Sequence, residues 1–330
     1  MTLLAVNQLR KYFPLKKDLR GRGGGTVHAV DDISFEVNPG ETLGVVGESG
    51  CGKSTTARLL VRLIEPDAGQ IRLEGRVVGP VMPLTEARAK MQMVFQDSYA
   101  SLNPRLTIED SIAFGPVVHG VPRREARERA RSLLARVGLE PERFASRYPH
   151  ELSGGQRQRV NIARALALRP RIVILDEAVS ALDKSIETQV LNLLLDLKAE
   201  FDLTYIFISH DLNVVRYMSD RVMVMYLGKI AEMGRAESIF TGARHPYTRA
   251  LFSAMPSMDP DRRTLVPPLI GDPPNPIDPL PGCRFKGRCA HAEEVCGAGE
   301  IALTASADHR VACLMTQPGS GHSSAPAKAA

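Results

Sequence analysis

Apolar residues occur in short runs along most of the chain, and their spacing changes from region to region. Residues 3–6 and 27–37 alternate apolar and polar positions and predict β-strands. A basic, glycine-rich loop at 16–25 separates them, and we expect it to be exposed and mobile. Residues 70–95 predict further strands. From about 107 to 168 the apolar residues follow a helical spacing, which predicts a helical segment inserted between strands.

The second half of the chain alternates strands and helices. Residues 171–175 form a continuous apolar run, as expected for a central parallel strand that is buried on both faces. The following segments predict a helix at about 185–201, a strand at 203–209, a helix at 211–218 and strands at 221–226 and 229–233. This order of elements predicts an α/β fold with a parallel sheet, closed by a short helix near Phe240.

The C-terminal part of the chain differs in composition. Prolines are dense from 256 to 281, which argues against regular secondary structure there. Four of the five cysteines follow within the last 50 residues. Residues 316–330 are mostly small and polar and predict a disordered tail.

The overall composition is that of a globular protein with room for two domains, since the chain has 330 residues, 44% of them hydrophobic and 24% charged. A net charge of +5 is a mild excess that selects no class of partner. The absence of Trp and an aromatic content of 5% argue against a single-strand nucleic-acid binder that stacks bases. No apolar run approaches the roughly 18 residues of a membrane helix, and the N-terminus does not read as a signal peptide. We therefore expect a cytosolic chain that reaches a membrane only through a partner.

The clearest motif follows the apolar run at 43–46. Gly47 is separated by four residues from Gly52, Lys53 and Ser54, which is the spacing of a phosphate-binding loop. Glycines let backbone N–H groups turn toward phosphate oxygens, and the helix that follows adds its positive end. Lys53 would place a charge on the β- and γ-phosphates, and Ser54 would offer a hydroxyl to Mg²⁺. Cys51 occupies a variable position of this loop and is interpreted as a small filler.

Two further stretches carry candidate chemistry. Asp176 and Glu177 follow the strand at 171–175, where a carboxylate can hold Mg²⁺ and a second can polarise the attacking water. Residues 153–156 read Ser-Gly-Gly-Gln and open a helix, which makes a second anion site. One nucleotide does not need two such sites from one subunit. We therefore expect a head-to-tail dimer, in which each nucleotide lies between the phosphate loop of one subunit and the Ser-Gly-Gly segment of the other.

Six motifs occur in the order GESGCGKS, VFQD, LSGGQ, ILDE, SALD and ISHD. This set resembles the nucleotide-binding subunit of ATP-binding-cassette (ABC) transporters, and the resemblance covers about residues 3–240. It implies a P-loop, RecA-like parallel sheet with an antiparallel β subdomain and an inserted helical subdomain at about 97–168. The implied domain limits are 1–240 for the nucleotide-binding domain, 241–315 for a loop-rich extension and 316–330 for the tail.

The resemblance implies roles for residues at matching positions. Gln96 would contact Mg²⁺ or the attacking water, His210 would contact the γ-phosphate, and Glu177 and His210 would form the catalytic pair. Asp183 would lie at the dimer interface. Phe13 would stack on adenine, with the adjacent Tyr12 as the alternative. The implied ATP-binding set is Phe13, Gly47, Ser49, Gly50, Cys51, Gly52, Lys53, Ser54, Thr55, Gln96, Ser153, Gly154, Gly155, Gln156, Asp176 and Asp183. The implied Mg²⁺ ligands are Ser54, Gln96 and Asp176.

The tail narrows the resemblance. HPYTRAL at 245–251, followed by a proline-rich run into the cysteines, is similar to the extension of oligopeptide and dipeptide importer ATPases. The segments FQDSYASLNPR and KYFPLKK are similar to the F-type subunit of these importers. This implies a peripheral ATPase at the cytoplasmic face of the plasma (inner) membrane, with ATP and Mg²⁺ as cofactors. Its partners would be a second, D-type ATPase subunit (or a second copy), two permease subunits and, indirectly, a substrate-binding protein. Nucleic acid is not an implied partner.

Two points stay open at this stage. Peptides are the expected cargo, with nickel or glutathione as alternatives. The cysteines are spaced C-x₅-C-x₆-C-x₁₆-C, which is not a zinc-ribbon or ordinary ferredoxin spacing. The resemblance implies a [4Fe–4S] cluster on Cys283, Cys289, Cys296 and Cys313, with zinc or reduced thiols as alternatives. A soluble cassette ATPase that acts on nucleic acid or ribosomes is the rival function, but it leaves the HPYT and cysteine segments unexplained.

Overall fold

The computed structural model describes residues 2–15, 24–255, 274–306 and 308–327. The loop predicted to be mobile at 16–25 therefore lies largely outside the described residues, as does most of the proline-dense stretch at 256–281. The strands are β1 (Leu4–Pro14), β2 (Thr26–Val37), β3 (Thr42–Val46), β4 (Ala68–Leu73), β5 (Arg76–Val77), β6 (Met91–Val94), β7 (Ile172–Asp176), β8 (Thr204–Ile208), β9 (Arg221–Tyr226), β10 (Lys229–Arg235), β11 (Thr304–Ser306) and β12 (His309–Val311). The helices are α1 (Lys53–Leu60), α2 (Leu84–Lys90), α3 (Ile108–Val118), α4 (Arg123–Arg136), α5 (Pro141–Phe144), α6 (Gly154–Leu166), α7 (Lys184–Glu200), α8 (Leu212–Met218), α9 (Ala236–Gly242) and α10 (Pro246–Ser253).

The strands form two sheets. The larger has the order β11-β12-β10-β9-β3-β8-β7-β6, and the neighbours from β9 to β6 are parallel. The smaller has the order β2-β1-β4-β5 and is antiparallel. The prediction of an α/β fold with a parallel sheet core is confirmed. Its central strand β3 leads directly into the phosphate loop, and β7 ends at the two carboxylates.

The parallel sheet is buried on both faces, which explains its continuous apolar runs. Along β7, Val173 and Leu175 belong to the hydrophobic cluster that includes the helices α3, α4 and α6. Ile172 and Ile174, which point the other way, belong to the cluster shared with α1 and the antiparallel sheet. The phosphate loop is therefore anchored between two packed layers.

The inserted segment is helical, as its spacing predicts. α4 begins after Pro122 and buries Ala126, Ala130, Leu133 and Leu134. Its arginines face outward and pair with acidic residues, for example Arg127 with Asp110 at 2.7 Å. This face is therefore a solvated surface with internal ion pairs.

Two details of the strand predictions are wrong. Residues 84–90 form α2 rather than part of a strand, and β1 runs well beyond residue 6. In α2 only Ala87 is buried, so no apolar periodicity marks the helix in the sequence. Its boundaries are set by Pro83 before it and by the charged residues along it, which are weak signals for so short a helix.

The C-terminal part is less loop-rich than predicted. β12 pairs with β10, with Val311 opposite Glu232, so this region extends the main sheet. The segment predicted as a disordered tail has defined contacts as far as Ala325, which differs from that prediction. His322 is 5% exposed and donates from Nε2 to the carbonyl of His291 at 2.9 Å. Such a contact of one imidazole with a backbone carbonyl leaves no trace in composition.

Candidate nucleotide-binding site

The loop at 47–52 has the backbone of a phosphate-binding loop. Gly47 and Gly52 have φ values of 149° and 106°, in the region that favours glycine. A Cβ at Gly47 would lie 2.2 Å from the carbonyl oxygen of Met225, and one at Gly52 would lie 2.2 Å from that of Ala29. Glycine is therefore required at both positions by conformation and by space. The loop leads into α1, whose first residue is Lys53.

Lys53 is held inside this loop. Its side chain is buried, and Nζ donates to the carbonyl oxygens of Gly47 at 2.7 Å and Glu48 at 3.0 Å. Cys51, 2% exposed, lies beside it, and burial raises the pKa of its thiol. A protonated, buried thiol fits the interpretation of Cys51 as a filler. The ammonium group is thus positioned at the centre of the loop, where an anion would lie.

The end of β7 brings the predicted acidic residues to the same place. Ser54 Oγ donates to Asp176 Oδ1 at 2.9 Å. Burial, and after it the neighbouring Glu177 carboxylate, raise the pKa of Asp176, although the hydrogen bond from Ser54 opposes this. A cation at this point would relieve the cost of burying the Asp176 charge.

Glu177 is the meeting point of two other predicted residues. Gln96 Nε2 donates to Glu177 Oε2 at 3.1 Å, and His210 Nδ1 lies 3.4 Å from the same oxygen. Glu177 itself has a φ of 49°, which is unusual for a residue with a side chain and typical of strained functional positions. Residues from the phosphate loop, Gln96, Glu177 and His210 line one cleft of about 400 Å³.

The predicted second anion site lies elsewhere on the chain. Ser153 caps α6, accepting from the backbone N–H of Gln156, while its own N–H donates to the Gln156 side chain. Among the described residues that line the phosphate-loop cleft, none comes from 153–156. The exposed Asp183 opens α7, next to Leu182, which lies within 3.9 Å of a Cβ placed at Gly154. The segment at 153–156 and the start of α7 therefore lie next to each other, and within one chain neither of them lines the phosphate-loop cleft.

The two candidate aromatic residues near the cleft differ in their surroundings. Tyr12 stacks on His28 with ring centroids 4.1 Å apart, and its hydroxyl donates to Asp31 at 2.6 Å. Phe13 is 38% exposed and pairs across the sheet with Val27, which lines the phosphate-loop cleft. Cross-strand partners share a face of the sheet, so Phe13 is the aromatic on the side of the cleft.

Three residues that contact one another at the phosphate loop are absent from the predicted ATP-binding set. Glu48, inside the phosphate loop, receives two hydrogen bonds from Arg288 and donates its backbone N–H to the hydroxyl of Tyr247. Tyr247 belongs to the HPYT segment, so the motif itself hinted at a role. Arg288 carries no signal in the sequence, because it lies 240 positions from its partner.

The four C-terminal cysteines line one small cavity. The residues concerned are Cys283, Cys289, Cys296 and Cys313, accompanied by His245, His291 and His322. All four are free thiols. Burial raises the pKa of Cys283 to about 11 and also raises the pKa of Cys289 and Cys313. Over the residues that the structure describes, no three His, Cys, Asp or Glu side chains are arranged to hold a metal ion.

Comparisons with family models match two parts of the chain. Residues 30–180 match the model described as ABC transporter. Residues 231–296 match the model described as oligopeptide/dipeptide transporter, C-terminal region. Within the described residues, no helix has the length and apolar character needed to cross a membrane.

Individual proteins are similar over most of the chain. A probable peptide ABC transporter ATP-binding protein of Sinorhizobium fredii is 50% identical over 321 residues, covering 96% of this chain and 90% of that protein. A glutathione import ATP-binding protein of Pectobacterium atrosepticum is 52% identical over 279 residues, covering 83% of this chain and 45% of that protein. A solved ATP-binding cassette, a dimer in a post-hydrolysis state with bound ADP and Pi, superposes with a TM-score of 0.62 at 29% identity, covering 71% of this chain and 98% of that one.

Proposed function

The chain belongs to the family of ABC transporter ATP-binding proteins, and from this premise we propose that it is the ATP-hydrolysing subunit of a peptide importer. ABC ATP-binding proteins are ATPases. The observation that carries the proposal is the convergence of Lys53, Ser54, Gln96, Glu177 and His210 on one cleft. This set contains a phosphate cradle, oxygen donors for a cation and a base, which are the parts that phosphoryl transfer to water requires.

ATP would bind with its phosphates in the loop at 47–54. Lys53 would exchange its two carbonyl contacts for the β- and γ-phosphates. Ser54 and Asp176 present oxygen atoms 2.9 Å apart. Gln96 lines the same cleft as Ser54 and would add its amide oxygen, a donor set that fits Mg²⁺. When bound, Mg²⁺ supplies charge that neutralises the phosphates.

Hydrolysis would depend on Glu177 and His210. Glu177 accepts from Gln96 in the structure, and its carboxylate would accept a proton from the attacking water or orient it. His210 lies beside the same carboxylate oxygen and would contact the γ-phosphate. Phe13 would stack on adenine, since the ring and hydroxyl of Tyr12 already contact His28 and Asp31.

A second ATPase subunit would complete the site. The segment that opens α6, with Ser153 exposed and Gly154 and Gly155 half-buried, presents a positive helix end, but it does not line the cleft of its own chain. In a head-to-tail dimer the segment of the partner would clamp the γ-phosphate, with Asp183 at the interface. We propose a non-identical D-type subunit as the partner, with a second copy of this chain as the alternative.

The helical subdomain would contact the permease. Tyr99, Phe114, Val117 and Val118 are exposed apolar residues within or beside this subdomain. Phe114, Val117 and Val118 are spaced to share one face of α3. Exposed apolar faces mark interaction surfaces, and a short permease helix would cover this one. The chain would therefore lie at the cytoplasmic face of the plasma (inner) membrane, bound to two permease subunits and coupled indirectly to a substrate-binding protein.

The cargo is tested by uptake. Replacing Lys53 with Ala in the otherwise intact transporter is expected to lower uptake of a labelled dipeptide by about tenfold or more, because the phosphate charge loses its buried counter-ion. Uptake of nickel and of glutathione is expected to stay unchanged. The matched control is Lys90→Ala, a surface lysine on α2 paired with Glu74. Loss of nickel or glutathione uptake with peptide uptake intact would contradict peptides as the cargo.

We also propose that the thiol cavity takes a [4Fe–4S] cluster, with zinc or reduced thiols as the other outcomes. The supporting observation is that four thiols line one cavity, which is the number of cysteines that ligate such clusters. In the described structure no three of these side chains are placed to hold a metal ion, so binding a cluster requires the thiols to move together. A bound cluster would cross-link the segments that carry the cysteines.

Anaerobically purified protein is expected to contain iron and to absorb at about 400 nm, because iron–sulfur clusters ligated by four cysteines absorb there. Cys296→Ser is expected to lose the absorbance and the iron. Colourless, iron-free protein under these conditions would exclude the cluster, and zinc in its place would identify the alternative.

A further inference from the structure

Residues from the C-terminal part of the chain contact the phosphate loop at Glu48. Arg288 donates from Nη1 to Glu48 Oε2 at 2.8 Å and from Nη2 to Glu48 Oε1 at 3.1 Å. The backbone N–H of Glu48 donates to Tyr247 Oη at 2.9 Å. Both the side chain and the backbone of one loop residue are therefore fixed by partners about 200 or more positions away in the sequence.

Both partners of Glu48 are themselves held rigidly. Tyr247 is fully buried and packs against Tyr226 and Phe285, with ring centroids 4.5 and 5.4 Å away. The Arg288 side chain is 7% exposed, and its pKa is raised chiefly by the hydrogen bonds to Glu48.

The start of α10 is also fixed. His245 caps this helix by accepting from the backbone N–H of Tyr247 at 3.0 Å. Burial lowers the pKa of His245 to about 4, so the ring stays neutral and able to accept at neutral pH. The Tyr247 hydroxyl is therefore presented to Glu48 from a well-ordered turn.

Glu48 brings a negative charge into the phosphate loop. Its carboxylate lies one residue into the phosphate loop, where an unpaired negative charge would repel the ligand. Glu48 lies between Gly47 and Gly50, so the backbone of the loop around it has much conformational freedom. The Glu48 carbonyl also accepts from Lys53. Loop geometry, local charge and the position of Lys53 thus all depend on how Glu48 is held.

We propose that Arg288 and Tyr247 are positioning residues for ATP, which neutralise Glu48 and fix the phosphate loop in the conformation that receives the phosphates. The HPYT segment and the cysteine-bearing segment therefore act together as a brace on the nucleotide site. This proposal rests on the proposed ATP-binding function. It adds that the affinity for ATP is set in part by residues outside the cassette motifs.

The brace is tested by titrating the full chain with a fluorescent ATP analogue. Arg288→Gln is expected to weaken binding about tenfold, in line with the loss of a bidentate charged pair. Arg288→Lys, which keeps the charge but not the paired geometry, is expected to lie in between. Tyr247→Phe, which keeps the packing, is expected to weaken binding by a smaller factor of about three. Turnover at saturating ATP is expected to change less than affinity in all three.

Two further variants separate positioning from general damage. Glu300→Gln removes the 2.8 Å ion pair with Lys229, which also joins the C-terminal part to the body but does not touch the loop. It is expected to leave ATP affinity unchanged. Adding Glu48→Gln to Arg288→Gln is expected to restore much of the lost affinity, because the unpaired carboxylate is gone. A purely structural defect would worsen or stay the same in the double variant.

These binding measurements separate failure of the brace from failure of the ATP site. Parent affinity in folded Arg288→Gln and Tyr247→Phe proteins would overturn the brace while leaving the ATP site intact. A loss in Glu300→Gln equal to that in Arg288→Gln, or no recovery in the double variant, would also overturn it. A parent chain that bound no ATP would instead contradict the proposed function itself.

Discussion

Glu177→Gln is expected to lower the rate of ATP hydrolysis by about 10²- to 10⁴-fold, the range that a general base contributes. The amide keeps the size of the side chain but cannot take a proton from water. ATP affinity is expected to stay within about twofold, since Glu177 lies beside the phosphate cradle rather than in it, and a twofold change is a small fraction of the binding free energy. The measurements are phosphate release and nucleotide titration on the same preparation.

The matched control for this variant is Glu125→Gln. Glu125 lies on α4, is exposed and pairs with Arg129, so the same chemical change is made far from the cleft. It is expected to leave turnover at the parent value. Hydrolysis by Glu177→Gln at the parent rate would show that another group activates the water, and the role proposed for Glu177 would be wrong.

The second large effect is expected at Ser153. Ser153→Glu should abolish pairing of ATPase subunits around ATP, because it places a carboxylate where the γ-phosphate of the opposite nucleotide would lie, and like-charge contacts cost several kcal/mol, about 10²- to 10³-fold in affinity. ATP binding by the single chain should persist, since the described lining of its own cleft excludes this segment. Turnover should fall with the loss of pairing.

Ser153→Thr is the control for the helix cap. Threonine keeps a hydroxyl that can accept from the Gln156 N–H, so the start of α6 is preserved. The expected loss in the free energy of unfolding is about 0.5 kcal/mol. Pairing around ATP should survive in this variant. If Ser153→Glu paired and hydrolysed ATP as well as the parent, the second half of the site would have to come from another segment.

The cassette residues could be predicted because each stands in a short motif with its own local signature. Ser54 and Asp176 are 122 positions apart, yet each follows a buried strand, and parallel strands bring their carboxyl ends to one edge. The continuous apolar run at 171–175 likewise predicts a buried strand to within one residue of β7, although β7 lies second from the edge of the sheet and not at its centre. Strong periodicity and strand-end chemistry survive in the sequence because they are local.

The contacts that could not be predicted are those without a local pattern. Arg288 meets Glu48 because Phe285, three residues before it, packs against Tyr226 and Tyr247 beside the phosphate loop. α2 has a single buried residue, so its helical period is invisible. The tail packs through polar contacts rather than through an apolar face, among them the buried imidazole of His322 and the hydrogen bonds from Ser323 to Glu293. In none of these cases do composition and spacing carry the feature that determines the structure.

The central claim is that one ATP is held by two subunits, on the phosphate loop of one and the Ser-Gly-Gly segment of the other. Sedimentation of the Glu177→Gln chain with ATP and with ADP tests it directly, with the chain alone and with an equimolar second ATPase subunit of the same transporter. The account predicts a mass of two ATPase subunits with ATP, a single-subunit mass with ADP, and no ATP-dependent pairing when Ser153→Glu is added. A single-subunit mass with ATP in both preparations, or pairing that survives Ser153→Glu, would contradict it.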